Sequence, residues 1–519
     1  MKIVRLVTRS FLVSLMILMG SWAVPCLAAN YGLVIGIDRY QHVPSLEGAV
    51  NDAEDIAAAL RSAGFNRVDL LTNEAASRSS ILSAWQEIVS RARSGDTVVF
   101  TYAGHGAQEP ERVAGSESDG MDEVFLLSGF AEQRPGNGER ILDNEIYDLF
   151  TQAKNINIVF VADSCHSGTM TRSFDLRSGA GKSRLASYGQ IVDDELPPPT
   201  VEAAARSEDS LDNVTFFGAV EDNQVVVEVA IDGKPRGAMS WAFARAMRGA
   251  ADHDGNHHLD TKELETYLRE TVRIQTEGRQ LPRMAPRGRP LHDVVVIAPT
   301  ETGMPAEGPI RLFGSIAAAA PPTGAIMVSS ASQADLVWDA ANGDVISASG
   351  DVVAQLGKRN EKSLGAIVTK WRVLRVASRL VEHQPLSAFL MPNSSLHHEG
   401  DILETVFADP NYGNAILFDL ANDGTLQLIA PGPDPGDLRY NGSILPSETF
   451  RMPVAVTPPF GMDHVIAIVS REPLGKLIAL LRENDSKPVD ARVLDGLSEL
   501  QNMSSVQVSI VSIVTGPGS

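Results

Sequence analysis

An α/β fold is what this sequence predicts: a mostly parallel sheet flanked by helices, followed by a β-rich (α+β) accessory domain. Three observations predict it. Two short runs, Thr97-Val98-Val99-Phe100-Thr101-Tyr102 and Ile156 to Ala162, are dominated by β-branched and aromatic residues, as in strands buried on both faces. Strand-like runs alternate with segments of helical periodicity, which implies a parallel sheet with helices on both sides. Beyond residue 323 the pattern changes to short strands separated by Gly, Asn, Asp and Pro turns.

Taken in order, Met1 to Ala28 reads as a secretory signal. Lys2, Arg5 and Arg9 form its positive region and Phe11 to Val24 its apolar region. Cys26-Leu27-Ala28 brings small residues to a cut after Ala28. The apolar stretch is short for a membrane span of about 20 residues. The expected location is therefore periplasmic or secreted, with no stable membrane span once the signal is removed.

Leu33 to Ile37 is the first expected strand. Ala49 to Arg61 is a helix, with Ala53, Ile56, Ala57 and Leu60 at helical spacing. Val68 to Leu71 is a strand and Ser79 to Ala92 a helix. Glu109 to Asp122, polar and acidic, reads as a surface loop. Val124 to Leu127 is a strand and Asp143 to Gln152 a helix. Thr171 to Asn213 lacks periodicity, so it reads as a long loop, functional or disordered. Strands follow at Val214 to Phe217, Val225 to Val229 and Val294 to Ile297, with helices at Ser240 to Arg248 and Thr261 to Thr271. This divides the chain into a domain at 29–298, a Pro/Ala/Gly-rich linker at 299–323, and the accessory domain at 324–519, with one helix around Ile367 to Val381.

Of 519 residues, 44% are hydrophobic, ample for a core, and the net charge is −21. That charge argues against nucleic acid as a partner, since phosphate binding needs clustered Lys and Arg. Cysteine occurs twice, at Cys26 and Cys165. Removal of the signal leaves one thiol and no internal disulfide. In an oxidising compartment a lone thiol is a liability unless it is used.

Cys165 lies just past the carboxyl end of the Ile156–Ala162 run, in Asp163-Ser164-Cys165-His166-Ser167-Gly168. His105 lies just past the Thr97–Tyr102 run, in Ala103-Gly104-His105-Gly106. If the two strands are parallel neighbours, a thiol and an imidazole meet at the sheet edge where active-site groups gather. The chemistry expected is a nucleophile and its base. The alternatives are a buried inert Cys and a hydrogen-bonded core His.

Y-A-G-H-G at 102–106 followed by D-S-C-H-S-G at 163–168, sixty residues between the His and the Cys, resembles the caspase-like cysteine peptidases, nearest the metacaspase branch and its bacterial relatives. F-F-G-A-V-E-D-N-Q and G-A-M-S-W-A-F-A-R-A-M resemble the small-subunit half of such a domain. The region from 324 is similar to an accessory domain of unassigned function that often follows bacterial caspase-like domains. The resemblance implies a cysteine endopeptidase acting on proteins or peptides. His105 would be the base, and the N–H groups of Gly106 and Cys165 would form the oxyanion hole. The acids at the positions of Asp52 and Asp163 would line the pocket for the residue before the cut, favouring Arg or Lys. Asp52 also reads as a helix N-terminal residue and Asp163 as a turn acid. Ala103 stands where the family often has Ser. The rival class is a non-catalytic interaction module of the same fold, marked by loss of Cys or His; a lesser rival acts on small thioesters or amides. The long loop carries Arg172, Arg177, Lys182 and Arg184, any of which a basic-specific pocket could cut.

Asp252, Asp254, Asn256, His258, Asp260 and Glu263 scan as a twelve-residue calcium loop, with His258 contributing a carbonyl. His257 occupies the position of the usual turn glycine, so a metal-free polar turn is the alternative. No cofactor is required for the chemistry itself.

Overall fold

In the computed structural model the residues described are 28–113, 115, 119–165, 182–197, 211–220, 225–231, 233–252, 258–285, 293–296, 308–316, 320–348, 351–357, 361–392, 396–408, 410–431, 442–444 and 446–517. Met1 to Leu27 of the expected signal, Cys26 among them, and His166, Arg172, Arg177, Asp254 and Asn256 lie outside them.

The N-terminal half runs β1 (Asn30–Gly36), α1 (Ala49–Ser62), β2 (Arg67–Thr72), α2 (Arg78–Arg91), β3 (Thr97–Ala103), β4 (Gly106–Pro110), β5 (Met121–Leu126), β6 (Arg140–Leu142), α3 (Asp143–Thr151), β7 (Asn157–Asp163), β8 (Val214–Gly218), β9 (Glu228–Ile231), β10 (Lys234–Gly237), α4 (Ala238–Arg245), β11 (His258–Asp260), α5 (Thr261–Gln275) and β12 (Arg283–Ala285). The central sheet has the order β12-β8-β7-β3-β1-β2. All pairs are parallel except β12–β8.

The apolar runs are explained by two-sided burial. Val159 and Val161 of β7 pack into one core with residues of α1, α4 and α5. Ile158 and Phe160 pack into a second with Ile81, Trp85 and Ile88 of α2 and Ile146 and Phe150 of α3. Each fully buried side chain of this size contributes about 1.5–3 kcal/mol of hydrophobic stabilisation. Neither face of β7 can then carry a charge until the strand ends at Asp163.

Two expectations need correction. The stretch Glu109 to Asp122 is not simply a surface loop. Its ends belong to the antiparallel hairpin β4–β5, with Glu109 opposite Asp122 and both buried. The polarity is satisfied internally: Glu109 takes both arms of the buried Arg140 guanidinium, and Asp122 accepts from Asn144. Within 299–323, read as linker, Ile310–Gly314 forms a strand beside Leu336–Asp339. Ile310 and Leu312 alternate inward and are fully buried; flanking Pro and Gly residues hide a two-residue signal.

The C-terminal half is β-rich, as expected. Its longest helix, α6 (Glu361–His383), packs with a six-stranded sheet in one core. The Asn342-Gly343 and Asn422-Asp423-Gly424 turns each join antiparallel strands. Arg245 of α4 donates to Glu382 of α6 at 2.5 Å, and Arg279 pairs with Asp351, both across the two halves. Among the described residues no helix is long and apolar enough to cross a membrane.

Candidate active site

The register of β3 on β7 decides the site. Ala103 pairs with Asp163, the last residue of each strand. His105 and Cys165 each follow their paired residue by two positions. Neighbouring strands are about 4.8 Å apart, so the two loops emerge side by side.

The loop carrying His105 is held by two tyrosines. Its N–H donates to the Tyr40 hydroxyl at 2.8 Å, and the Tyr102 hydroxyl donates to its carbonyl. Both hydroxyls crowd Gly104, where a Cβ would lie 2.7 Å from each, so only glycine fits. The imidazole Nε2 is 2.7 Å from the Pro44 carbonyl. A carbonyl can only accept, so the proton is on Nε2 and Nδ1 presents a lone pair. Nδ1 is buried and has no hydrogen-bond partner. Burial lowers the His105 pKa, against the pull of the Pro44 and Arg184 backbone, so the ring is neutral at pH 7.

Cys165 is fully buried, and its sulfur accepts from the Val226 N–H at 2.7 Å. Burial pushes the thiol up to about 12, although the Val226 amide and the Arg184 cation favour the thiolate. Another part of the chain crosses the site.

That part is Lys182 to Ala186. Ser183 bridges Val227 in antiparallel fashion. The Arg184 N–H donates to the Val226 carbonyl at 3.0 Å, and the Glu228 N–H donates to the Lys182 carbonyl at 2.8 Å. On the other side the Gly106 N–H donates to the Arg184 carbonyl at 2.9 Å, and the Ala186 N–H returns a bond to the Gly106 carbonyl. A strand is thus laid between the His loop and the chain entering β9. The carbonyl of Arg184 rests on the glycine that follows the histidine.

The Arg184 side chain is fully buried. Its guanidinium pairs with Asp52, with Asp163 at 3.0 Å and with Glu228 at 3.3 Å. One arm also donates to the Asp163 carbonyl at 3.0 Å. Burial alone would lower its pKa; Asp163, Asp52 and Glu228 hold it well above the ordinary arginine value. Burial pushes the Asp52 pKa upward and Arg184 opposes it. A buried ion needs such pairing, because desolvation of an unpaired charge costs several kcal/mol.

Each acid is fixed by backbone donors. Asp52 does not cap its own helix, which starts at Gly48 without a side-chain cap; it accepts from the Gly237 N–H. Asp163 accepts from the Ser240 N–H in the first turn of α4, at 2.8 Å. Glu228 accepts from the N–H groups of Glu47 and Gly48 at 2.9 and 2.8 Å. Gly237 has no room for a side chain: a Cβ there would lie 2.2 Å from Asp163 Oδ2 and 2.5 Å from Arg184 Nη1.

The structure therefore brings together His105, Gly106, Cys165, Asp52 and Asp163, and adds Glu228, Pro44 and Val226, which sequence reasoning did not single out. Glu228 left one trace, a carboxylate inside the apolar run Val225 to Ile231. Pro44 and Val226 act through backbone atoms and left none. Two of the calcium-loop residues sit at the start of α5. Asp260 caps α5, accepting from the Glu263 N–H at 2.8 Å while Glu263 accepts from the Asp260 N–H. These two carboxylates are satisfied by the helix itself. The other expected ligands with described positions are Asp252 and the backbone of His258. Among the described residues no group of three or more His, Cys, Asp or Glu side chains converges on a metal position.

A thiol, a neutral imidazole with a free Nδ1, and an amide donor on a peptide carbonyl are the components of acyl transfer. Comparison with known proteins follows the same line. The caspase-domain family model matches residues 29–288. Metacaspase-1 from Coccidioides immitis (strain RS) is 26% identical over 262 residues, covering 43% of this chain and 55% of the relative. Metacaspase-1A from Aspergillus clavatus is 26% identical over 262 residues, covering 43% of this chain and 60% of the relative. The match thus spans little more than half the length of these curated relatives. The crystal structure of caspase-1 from Spodoptera frugiperda aligns with 50% of this chain and 86% of its own, at 11% identity and a TM-score of 0.32. With half of its length matched by that family model, the chain belongs to the caspase-domain family.

Proposed function

We propose that the protein is a cysteine endopeptidase that cuts polypeptides after arginine or lysine. One observation carries this reading: Arg184 sits among three carboxylates with its carbonyl on the Gly106 N–H and its backbone against Cys165 and His105. The residue occupies the place of the residue before a cut.

In the proposed cycle His105 Nδ1 takes the Cys165 thiol proton. The sulfur attacks the carbonyl carbon, and the Gly106 N–H stabilises the charge that develops on oxygen; the Cys165 N–H would add a second donor. Collapse breaks the C–N bond, and the amine leaves with the proton from His105. Water, deprotonated by His105, then hydrolyses the thioester. The Pro44 carbonyl keeps the imidazole in the tautomer that the first step needs. The same cycle applied to Arg184 cuts the Arg184–Leu185 bond, so self-processing is part of the proposal. The order of positive, apolar and small residues in Met1 to Ala28 supports a periplasmic or secreted site of action.

Three otherwise identical reporter peptides ending in Arg, Lys or Asp test the reading. Turnover is expected for Arg and Lys and not for Asp, because an aspartate would face Asp52, Asp163 and Glu228 in a desolvated pocket. Cleavage after Asp but not Arg would remove the pocket assignment. No turnover of any reporter would favour the interaction-module reading.

Calcium at the 252–263 segment is proposed as accessory; Asp252, Asp254, Asn256 and the His258 carbonyl would hold it, with Asp260 and Glu263 giving up their capping bonds to join them. Cys165 and His105 supply nucleophile and base by themselves. Arg-reporter hydrolysis is therefore expected to persist in excess chelator. Complete loss in chelator, restored by calcium and not restored in Asp252→Ala, would make the ion a requirement.

A further inference from the structure

The docked segment carries more information than its arginine. In an extended strand, side chains two positions apart point the same way. Arg184 and Lys182 therefore share one side of the strand, and Ser183 faces the other. On that side, beyond the acidic pocket, lies the loop that leads into α1. The Lys182 ammonium donates to the Ser45 carbonyl at 2.9 Å and lies 3.0 Å from Glu47 Oε1. Glu47 is not a loose surface acid. Its N–H is tied to Glu228 Oε2, and the next N–H, that of Gly48, to Glu228 Oε1. Glu228 thus both pairs with Arg184 and fixes the loop that presents Glu47.

We propose that Glu47, with the Ser45 carbonyl, forms a subsite for a basic side chain two positions before the arginine, so that preferred substrates are extended strands of the form Lys-x-Arg or Arg-x-Arg. The inference rests on the reading of Arg184 as the residue before the cut. Antiparallel pairing with Val226 and Glu228 sets the register: one N–H to carbonyl bond is made at Arg184 and the reciprocal one at Lys182. Any peptide bound in this way brings its residue two before the arginine to Glu47. The site is open at its rim, with Lys182 and Glu47 side chains 45% and 44% exposed. The contribution is accordingly modest, because exposed ion pairs are solvent-screened. A charge reversal counts twice, since it removes an attraction and adds a repulsion.

The test uses the full chain and four reporter peptides, Lys-Ser-Arg, Ala-Ser-Arg, Glu-Ser-Arg and Lys-Ser-Asp. The expected order of kcat/KM is Lys-Ser-Arg, then Ala-Ser-Arg, then Glu-Ser-Arg, with about 3–10-fold between first and last, and a gap that narrows with added salt. In Glu47→Gln the gap is expected to close, and in Glu47→Lys to invert. The ratio within each variant does not depend on how much of it folds. Equal rates for the three arginine peptides in the native protein would overturn the subsite while leaving arginine recognition standing. A gap that survives unchanged in Glu47→Lys would equally overturn it. Failure to cleave every arginine peptide would instead sink the underlying reading, and the subsite with it.

Discussion

Replacing Cys165 by alanine is expected to abolish the proposed peptide hydrolysis and to leave the chain uncut at Arg184–Leu185. The expected fall in kcat/KM on an arginine reporter is at least about 10^4-fold, since removing the nucleophile of a catalytic unit costs as much as removing the unit. His105→Ala is expected to fall by a similar factor, because a thiol so deeply buried has almost no thiolate at neutral pH without its base. Alanine in place of a buried Cys changes little volume, so the Cys165→Ala melting temperature should stay near the native value. The pH dependence of self-cleavage follows from the same burial. The thiol is pushed up to about 12 while the segment is docked. His105, held low by burial, is already neutral. Between these two values the pair keeps the single proton that the cycle moves from sulfur to the leaving amine, so the first-order rate of chain cutting is expected to stay nearly constant from pH 7 to 9. Near-native turnover in either variant, or a rate that rises about tenfold per pH unit over this range, would refute the mechanism.

Arg184→Ala is expected to block cutting of the Arg184–Leu185 bond and to destabilise the uncut protein. The substitution leaves Asp52, Asp163 and Glu228 buried without a cation. Breaking a buried pair from one side costs about 3–5 kcal/mol, which lowers the melting temperature on the order of 10 °C. Arg184→Lys keeps the charge and should still be cut, more slowly, because an ammonium cannot span Asp52 and Asp163 as the planar fork does. The emptied pocket of Arg184→Ala remains open to an arginine reporter. Mass spectrometry of the chain and reporter turnover together decide the matter. Cutting between residues 184 and 185 in the alanine variant would show that this arginine does not direct the cut. An unchanged melting temperature would show that the three carboxylates do not need it.

The strands of the central sheet were legible because their determinant is local. A strand buried on both faces must be apolar at every position, and Ile158 to Ala162 and Val98 to Phe100 are. The end of such a run is legible for the same reason, so Cys165 and His105 stood out where the apolar sequence stops. The helices α1 and α2 announced themselves through the spacing of Ile56 and Leu60, and of Ile81, Trp85 and Ile88. The β4–β5 hairpin did not, because Gln108, Glu109 and Asp122 are polar and are satisfied by partners such as Arg140 and Asn144 that lie far along the chain.

Residue identity alone determined that this chain carries a thiol and an imidazole at two strand ends, with Asp52 and Asp163 available beside them. Only the tertiary structure decided what they face. Pro44 orients His105 through a carbonyl, and Val226 meets Cys165 through an N–H; every residue has such atoms, so no sequence marks them. Glu228 joins Asp52 only when the start of β9 reaches the N-terminal end of α1, across more than 170 residues. Among the basic residues of the long loop, the choice of Arg184 follows from strand register. The backbone bonds at Lys182, Arg184 and Ala186 can be made together in one alignment, and that alignment sets this guanidinium among three carboxylates.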